Sequence, residues 1–130
     1  MENDLKLNDI INKYNLKLLL IFGSYNTGRF TKQSDIDLAY LSGRILEFNE
    51  EMELMRDIII YFGRDGIDLV NLRKADPLLS YQIACNSKVL YEEDNSYMLF
   101  KMKASAMYAD TKHLRELRRN FLKEKLKSYN

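Results

Sequence analysis

The sequence predicts a mixed α+β (α/β) domain, and three observations lead there. Apolar residues recur at helical spacing near the start of the chain and again between Glu47 and Phe62. Short β-type runs, LKLLLIF, DIDLAYL and GIDLVNL, lie between and after those helices, bounded by glycine or polar turns. With 130 residues, of which 46% are hydrophobic and 12% aromatic, the chain suits one domain with one packed core.

The first helix is expected over Asp4 to Tyr14, where Leu7, Ile10, Ile11 and Tyr14 form one apolar stripe. Leu16 to Phe22 reads as a buried strand stopped by Gly23, and Asp35 to Leu41 as a second strand closed by the Ser42-Gly43 turn. From Glu47 to Phe62 the spacing of Phe48, Met52, Met55, Ile59 and Phe62 marks a helix whose core face these residues supply. Gly63 is placed to end it in a left-handed cap. A third strand follows over Gly66 to Leu72, and Pro77 then opens a short helix at the first-turn position proline tolerates. Cys85 in that helix reads as core. A short strand over Lys88 to Glu92 precedes a helical tail. There Asp110 is expected to cap a second segment, with Leu114, Leu117 and Phe121 as its apolar seam. His113, the single histidine, reads as a surface helix residue.

Twenty basic residues against nineteen acidic ones leave a net charge of +1, which excludes a general nucleic-acid or membrane-surface binder. One cysteine permits no intrachain disulfide, and no apolar run is long enough to span a membrane. The charged N-terminus does not resemble a signal peptide, so a cytoplasmic protein is the expectation.

The chemistry concentrates in GSYNTGRFTKQSDIDL, Gly23 to Leu38. Side chains alternate along a strand, so Asp35 and Asp37 share one face while Ile36 and Leu38 enter the core. Asp68 is the one charge inside IDLVNL. If the two strands are neighbours, three carboxylates converge. Two like charges about 4 Å apart cost roughly 4 kcal/mol at an effective dielectric near 20, so a cation is expected among them. Oxygen ligands without histidine or cysteine favour Mg²⁺, with Mn²⁺ as the substitute. Gly23 and Ser24 form a turn after a buried strand where successive N–H groups can cradle a phosphate, and Gly28 and Arg29 extend it. Metal-dependent chemistry on a nucleoside triphosphate follows.

A Gly-Ser turn, a following D-x-D and a third acid in a later strand resemble the nucleotidyltransferase superfamily that includes DNA polymerase β. Gly23, Ser24, Asp35, Asp37 and Asp68 fill those positions. Thr27 stands where relatives often carry arginine, and Arg29 follows the loop glycine. The chain's shortness is similar to that of the minimal nucleotidyltransferases (MNT). The resemblance implies the polymerase β-like fold, a small mixed sheet flanked by helices with a long C-terminal helix, in one nucleotidyltransferase domain over residues 1–130. It implies two Mg²⁺ ions held by Asp35, Asp37 and Asp68, with ATP as substrate. It also implies transfer of AMP or another NMP to a hydroxyl. In the minimal family such chains commonly pair as antitoxins with a helical HEPN ribonuclease toxin, and some add AMP to a toxin tyrosine. Those toxins carry R-x4-H-x-Y, which this chain lacks, so it looks like the transferase half. The segment from about 94 to 127, basic from Leu114 to Leu126, would then dock the partner; a homodimer or a hetero-oligomer with the toxin is compatible with this. Two alternatives stand beside it: an antitoxin that only binds, and a transferase acting on a small molecule such as an aminoglycoside.

Overall fold

The computed structural model describes residues 2–23 and 35–128. Its elements run α1 (Glu2–Tyr14), β1 (Leu16–Phe22), β2 (Ile36–Ser42), α2 (Phe48–Phe62), β3 (Ile67–Asn71), α3 (Pro77–Cys85), β4 (Ser87–Glu92) and α4 (Ser96–Ser128). The four strands form one sheet in the order β3-β2-β1-β4. β1 is antiparallel to both its neighbours, whereas β2 and β3 are parallel. A parallel pair needs a crossover, and α2 supplies it.

Alternation along the strands sends side chains to two separate cores. On one face, Ile10, Ile11 and Tyr14 of α1 and Leu54 and Ile58 of α2 pack with Leu19, Ile21, Ile36, Leu38 and Tyr40. On the other, Leu18, Leu20, Ala39, Leu72 and Ile83 are buried, with Tyr97 and Phe100 of α4 packed against them. The first face is also tied by polar bonds. The Tyr14 hydroxyl donates to Asp57 Oδ2 at 2.6 Å, and Lys13 bridges Glu53 and Asp57 at 2.7 and 3.1 Å. Burial, then the bond to Asp57, pushes the Tyr14 hydroxyl up to about 12.

Local signals account for the helix ends. Gly63 adopts φ +70° and its N–H bonds the Ile59 carbonyl at 2.8 Å, a left-handed cap. Asp76 caps α3 by accepting from the Leu79 N–H at 2.7 Å, with Pro77 in the first turn.

Three expectations fail. The buried arc of α2 centres on Leu54 and Ile58, so Phe48 (72% exposed) and Met52 (56%) face outward although they sit at helical spacing with Met55, Ile59 and Phe62. Cys85 is exposed at the end of α3, not core. Asp110 caps nothing: α4 is continuous for 33 residues, because no glycine or proline interrupts it and neighbouring turns favour propagation over a fresh start. The seam of Leu114, Leu117 and Phe121 is 51–64% exposed and belongs to neither apolar cluster of the described residues.

Candidate functional site

The antiparallel and parallel registers together build one row across the sheet. Ser87 pairs with Phe22, Phe22 with Asp37, and Asp37 with Asp68. The next row on the same face, Leu20, Ala39 and Val70, belongs to the core beneath α3 and α4. The acids therefore end an otherwise apolar sheet face. Ile36 with Ile67, and Leu38 with Leu69, point through to the opposite core and anchor the two acid-bearing strands.

Asp37 is half-buried, while Asp35, immediately before β2, and Asp68 are exposed. Burial, the neighbouring charges of Asp68 and Asp35, and a hydrogen bond shared with Asp68 all hold the Asp37 carboxyl above the usual carboxylate range. A hydrogen bond between two carboxyls needs a proton, so the pair stores electrostatic strain once both ionise. None of the ion pairs among the described residues includes Asp35, Asp37 or Asp68.

Two glycines make room for these acids. Gly23 has φ +75°, where a side chain is strained, and a Cβ there would collide with the Asp37 carboxylate. The Gly66 carbonyl accepts from the Ile36 N–H at 2.7 Å, and a Cβ there would lie 2.6 Å from Asp35 Oδ1. The backbone thus closes on both acids without side chains in the way. Sequence reasoning missed the role of Gly66, although its place just before the third acidic strand was visible. It also missed Ser87 and Tyr97: the Tyr97 hydroxyl donates to the Ser87 carbonyl at 3.0 Å and tethers α4 to the end of the row. The expected phosphate-binding residues Ser24, Gly28 and Arg29 lie outside the described residues.

Among the described residues no group of three or more His, Cys, Asp or Glu forms a ready metal cage. The donor set still fits a hard cation. Mg²⁺ is normally bound through one or two carboxylates with substrate phosphates and water completing its shell. Carboxylates that no ion pair among the described residues neutralises are the kind of donor such a site would take from a protein. A cavity of about 350 Å³, lined by Leu41, Leu72, Arg73, Phe100 and Lys103 among others, lies at the opposite end of the sheet and contains none of the acids. No described helix is long and apolar enough to cross a membrane.

Known proteins share this fold. Residues 5–96 match the model of the family described as polymerase beta, nucleotidyltransferase. The chain is 34% identical over 93 residues to the protein adenylyltransferase MntA of Shewanella oneidensis, an alignment covering 72% of this chain and 66% of that relative. It thus spans just under two thirds of the relative's length. A chain in a crystal structure of a toxin–antitoxin with AMP-PNP superposes with a TM-score of 0.74 at 27% identity, covering 97% of this chain and 99% of its own. A chain in the structure of a tri-AMPylated Shewanella oneidensis HEPN toxin in complex with MNT antitoxin gives 0.68 at 27% identity, covering 96% and 97%.

Proposed function

Because the chain belongs to the polymerase β nucleotidyltransferase family, we propose that it is a protein adenylyltransferase acting as an antitoxin. Its reaction moves AMP from ATP to a tyrosine hydroxyl of a HEPN-type toxin. The adenylyltransferase relative, the AMP-PNP structure and the AMPylated toxin complex support this reading. The observation that carries it is the row of Gly23-flanked Asp37 beside Asp68, with Asp35 one residue before the strand.

The tyrosine oxygen attacks the α-phosphorus, the bond from that phosphorus to the β-bridging oxygen breaks, and pyrophosphate leaves with its electron pair. Asp35, Asp37 and Asp68 would hold a divalent metal, which would supply Lewis-acid neutralisation of the triphosphate and make the hydroxyl easier to deprotonate. Asp68, exposed at the open edge of the row, accepts the phenolic proton directly or through water. Gly23, where a Cβ would meet Asp37, would let the backbone come close to the phosphates, with Ser24, Gly28 and Arg29 the residues expected to extend the contact. The half-buried position of Asp37 strengthens its attraction for a cation, since fewer waters compete.

Incubation with Mg²⁺, radiolabelled ATP and the HEPN protein encoded beside it tests the reading. Label should move onto that protein and vanish with Asp35→Ala/Asp37→Ala. A tight complex without label would leave an antitoxin that works by binding alone.

A further inference from the structure

The second half of α4 carries the strongest unassigned signal. The first half packs: Ala104 is buried, and Tyr108 stacks on Tyr81 of α3 with centroids 4.0 Å apart. The Arg115 guanidinium lies 4.1 Å over the Tyr108 ring, and past Arg115 every described residue is exposed. Residues 112–128 thus extend for about 25 Å at 1.5 Å per residue, and among the described residues none of them belongs to either buried cluster. A helix of that length is marginal in water unless something covers it.

Its surface describes what that cover must be. Leu114, Leu117 and Phe121, three and four residues apart, form a seam, and Leu122 and Leu126 widen it. Around them stand seven Lys or Arg residues against two Glu. A second copy pairing arm against arm would set two such positive helices face to face, which like-charge repulsion disfavours. The acidic helix of this chain, α2, is also a poor receptor. Its Glu50, Glu51, Glu53 and Asp57 are already paired with Arg44, Lys74 and Lys13 at 2.7–3.1 Å.

We infer that the arm formed by residues 112–128 docks an amphipathic helix of the partner protein whose apolar seam is flanked by acidic residues. The inference rests on the reading of the chain as an antitoxin with a helical protein partner. Docking is then separate from the acid row, and the partner can be held whether or not AMP is transferred.

Hydrogen exchange and calorimetry on the full chain, alone and with the cognate HEPN protein, test this. Amides 117–128 should exchange freely in the chain alone and be protected in the complex. Leu117→Glu/Phe121→Glu should weaken binding roughly 100-fold, and Arg118→Glu/Arg119→Glu roughly 10-fold with a flatter salt dependence. Asp35→Asn/Asp37→Asn should leave affinity unchanged. A synthetic helix of about 20 residues with glutamates flanking a leucine seam gives a second, partner-independent probe. It should bind the arm, while its lysine-flanked counterpart should not. A complex that forms and becomes AMPylated with the arm unprotected and its variants neutral would overturn the docking inference and leave the proposed function standing. Binding of the acidic peptide at the arm with no HEPN complex would overturn the proposed function and the identity of the partner, and leave only the arm's preference for an acid-flanked helix. Self-association or RNA binding that Phe121→Glu abolishes would assign the arm to another occupant and overturn the inference.

Discussion

The two faces of the sheet are built for different work. Beneath α1 and α2 the apolar cluster is large and cross-linked by polar bonds: Lys13 to Glu53 and Asp57, Tyr14 to Asp57, and Lys74 and Asn71 to Glu51 at 3.0 Å. Beneath α3 and α4 the buried cluster is smaller, and the same face ends in the carboxylate row. On the first face Glu51, Glu53 and Asp57 are in ion pairs, whereas among the described residues no ion pair includes Asp35, Asp37 or Asp68 on the second. The contrast teaches where stability and chemistry are divided, with strain tolerated on one face because the other holds the strands.

Breaking either face should give a different phenotype. Asp37→Asn should have the largest effect, lowering adenylyl transfer by roughly 10³-fold or more, because it removes a charge needed only when substrate is bound. The same change should raise the melting temperature of metal-free protein at neutral pH, by roughly 1–3 °C in calorimetry, since it relieves repulsion with Asp35 and Asp68. Leu54→Ala, on the opposite face, should cost about 3 kcal/mol of stability in denaturant titration while leaving turnover per folded molecule unchanged. Gly66→Ala should fall between the two classes: a Cβ there displaces Asp35, so activity drops roughly 10-fold with little change in melting temperature. Tyr14→Phe should cost about 1 kcal/mol through the lost bond to Asp57, and equal activities of mutant and parent would confirm that this bond serves only the fold.

The pH dependence sharpens the same contrast. Asp37 is raised in the fold, so its penalty is absent below the unfolded carboxyl pKa and grows as pH rises through its folded value. Asp57 behaves oppositely. Burial pushes it up, but the bonds from Tyr14 and Lys13 outweigh burial and hold it low. Its contribution is present above the unfolded pKa and lost as pH falls through the folded one. Tyr14 and Tyr40, both pushed up to about 12 chiefly by burial, contribute stability that is complete below pH 10 and lost between about 10 and 12. Thermal melts from pH 3 to 12 should show acid loss on the α1/α2 side cancelled in part by relief at Asp37. Asp37→Asn should deepen the acid limb.

What the sequence disclosed was chiefly what neighbours in the chain decide. The stripe of Ile10, Ile11 and Tyr14, the cap at Gly63 and the Pro77 start each depend on residues within a turn or two. The α2 face was read in part: Met55, Ile59 and Phe62 pack against the core as expected, but periodicity does not say which arc meets the sheet most closely, and that arc is Leu54 and Ile58, with Phe48 and Met52 outside it. Asp35, Asp37 and Asp68 were visible as residues, but their meeting was conditional on β2 and β3 lying side by side. The parallel register of Asp37 with Asp68 meets that condition. The approach of Gly66 to Asp35 belongs to strand pairing, which no local pattern encodes.

That parallel pairing has a consequence for the life of the chain on the ribosome. Asp37 emerges early, but its neighbour in the row lies beyond the whole of α2, and the strands can pair only after the crossover has been made. A nascent or truncated chain ending before Asp68 lacks the third acid of the row. The acid cluster is thus a late product of synthesis, and copies that end there carry Gly23, Asp35 and Asp37 without Asp68.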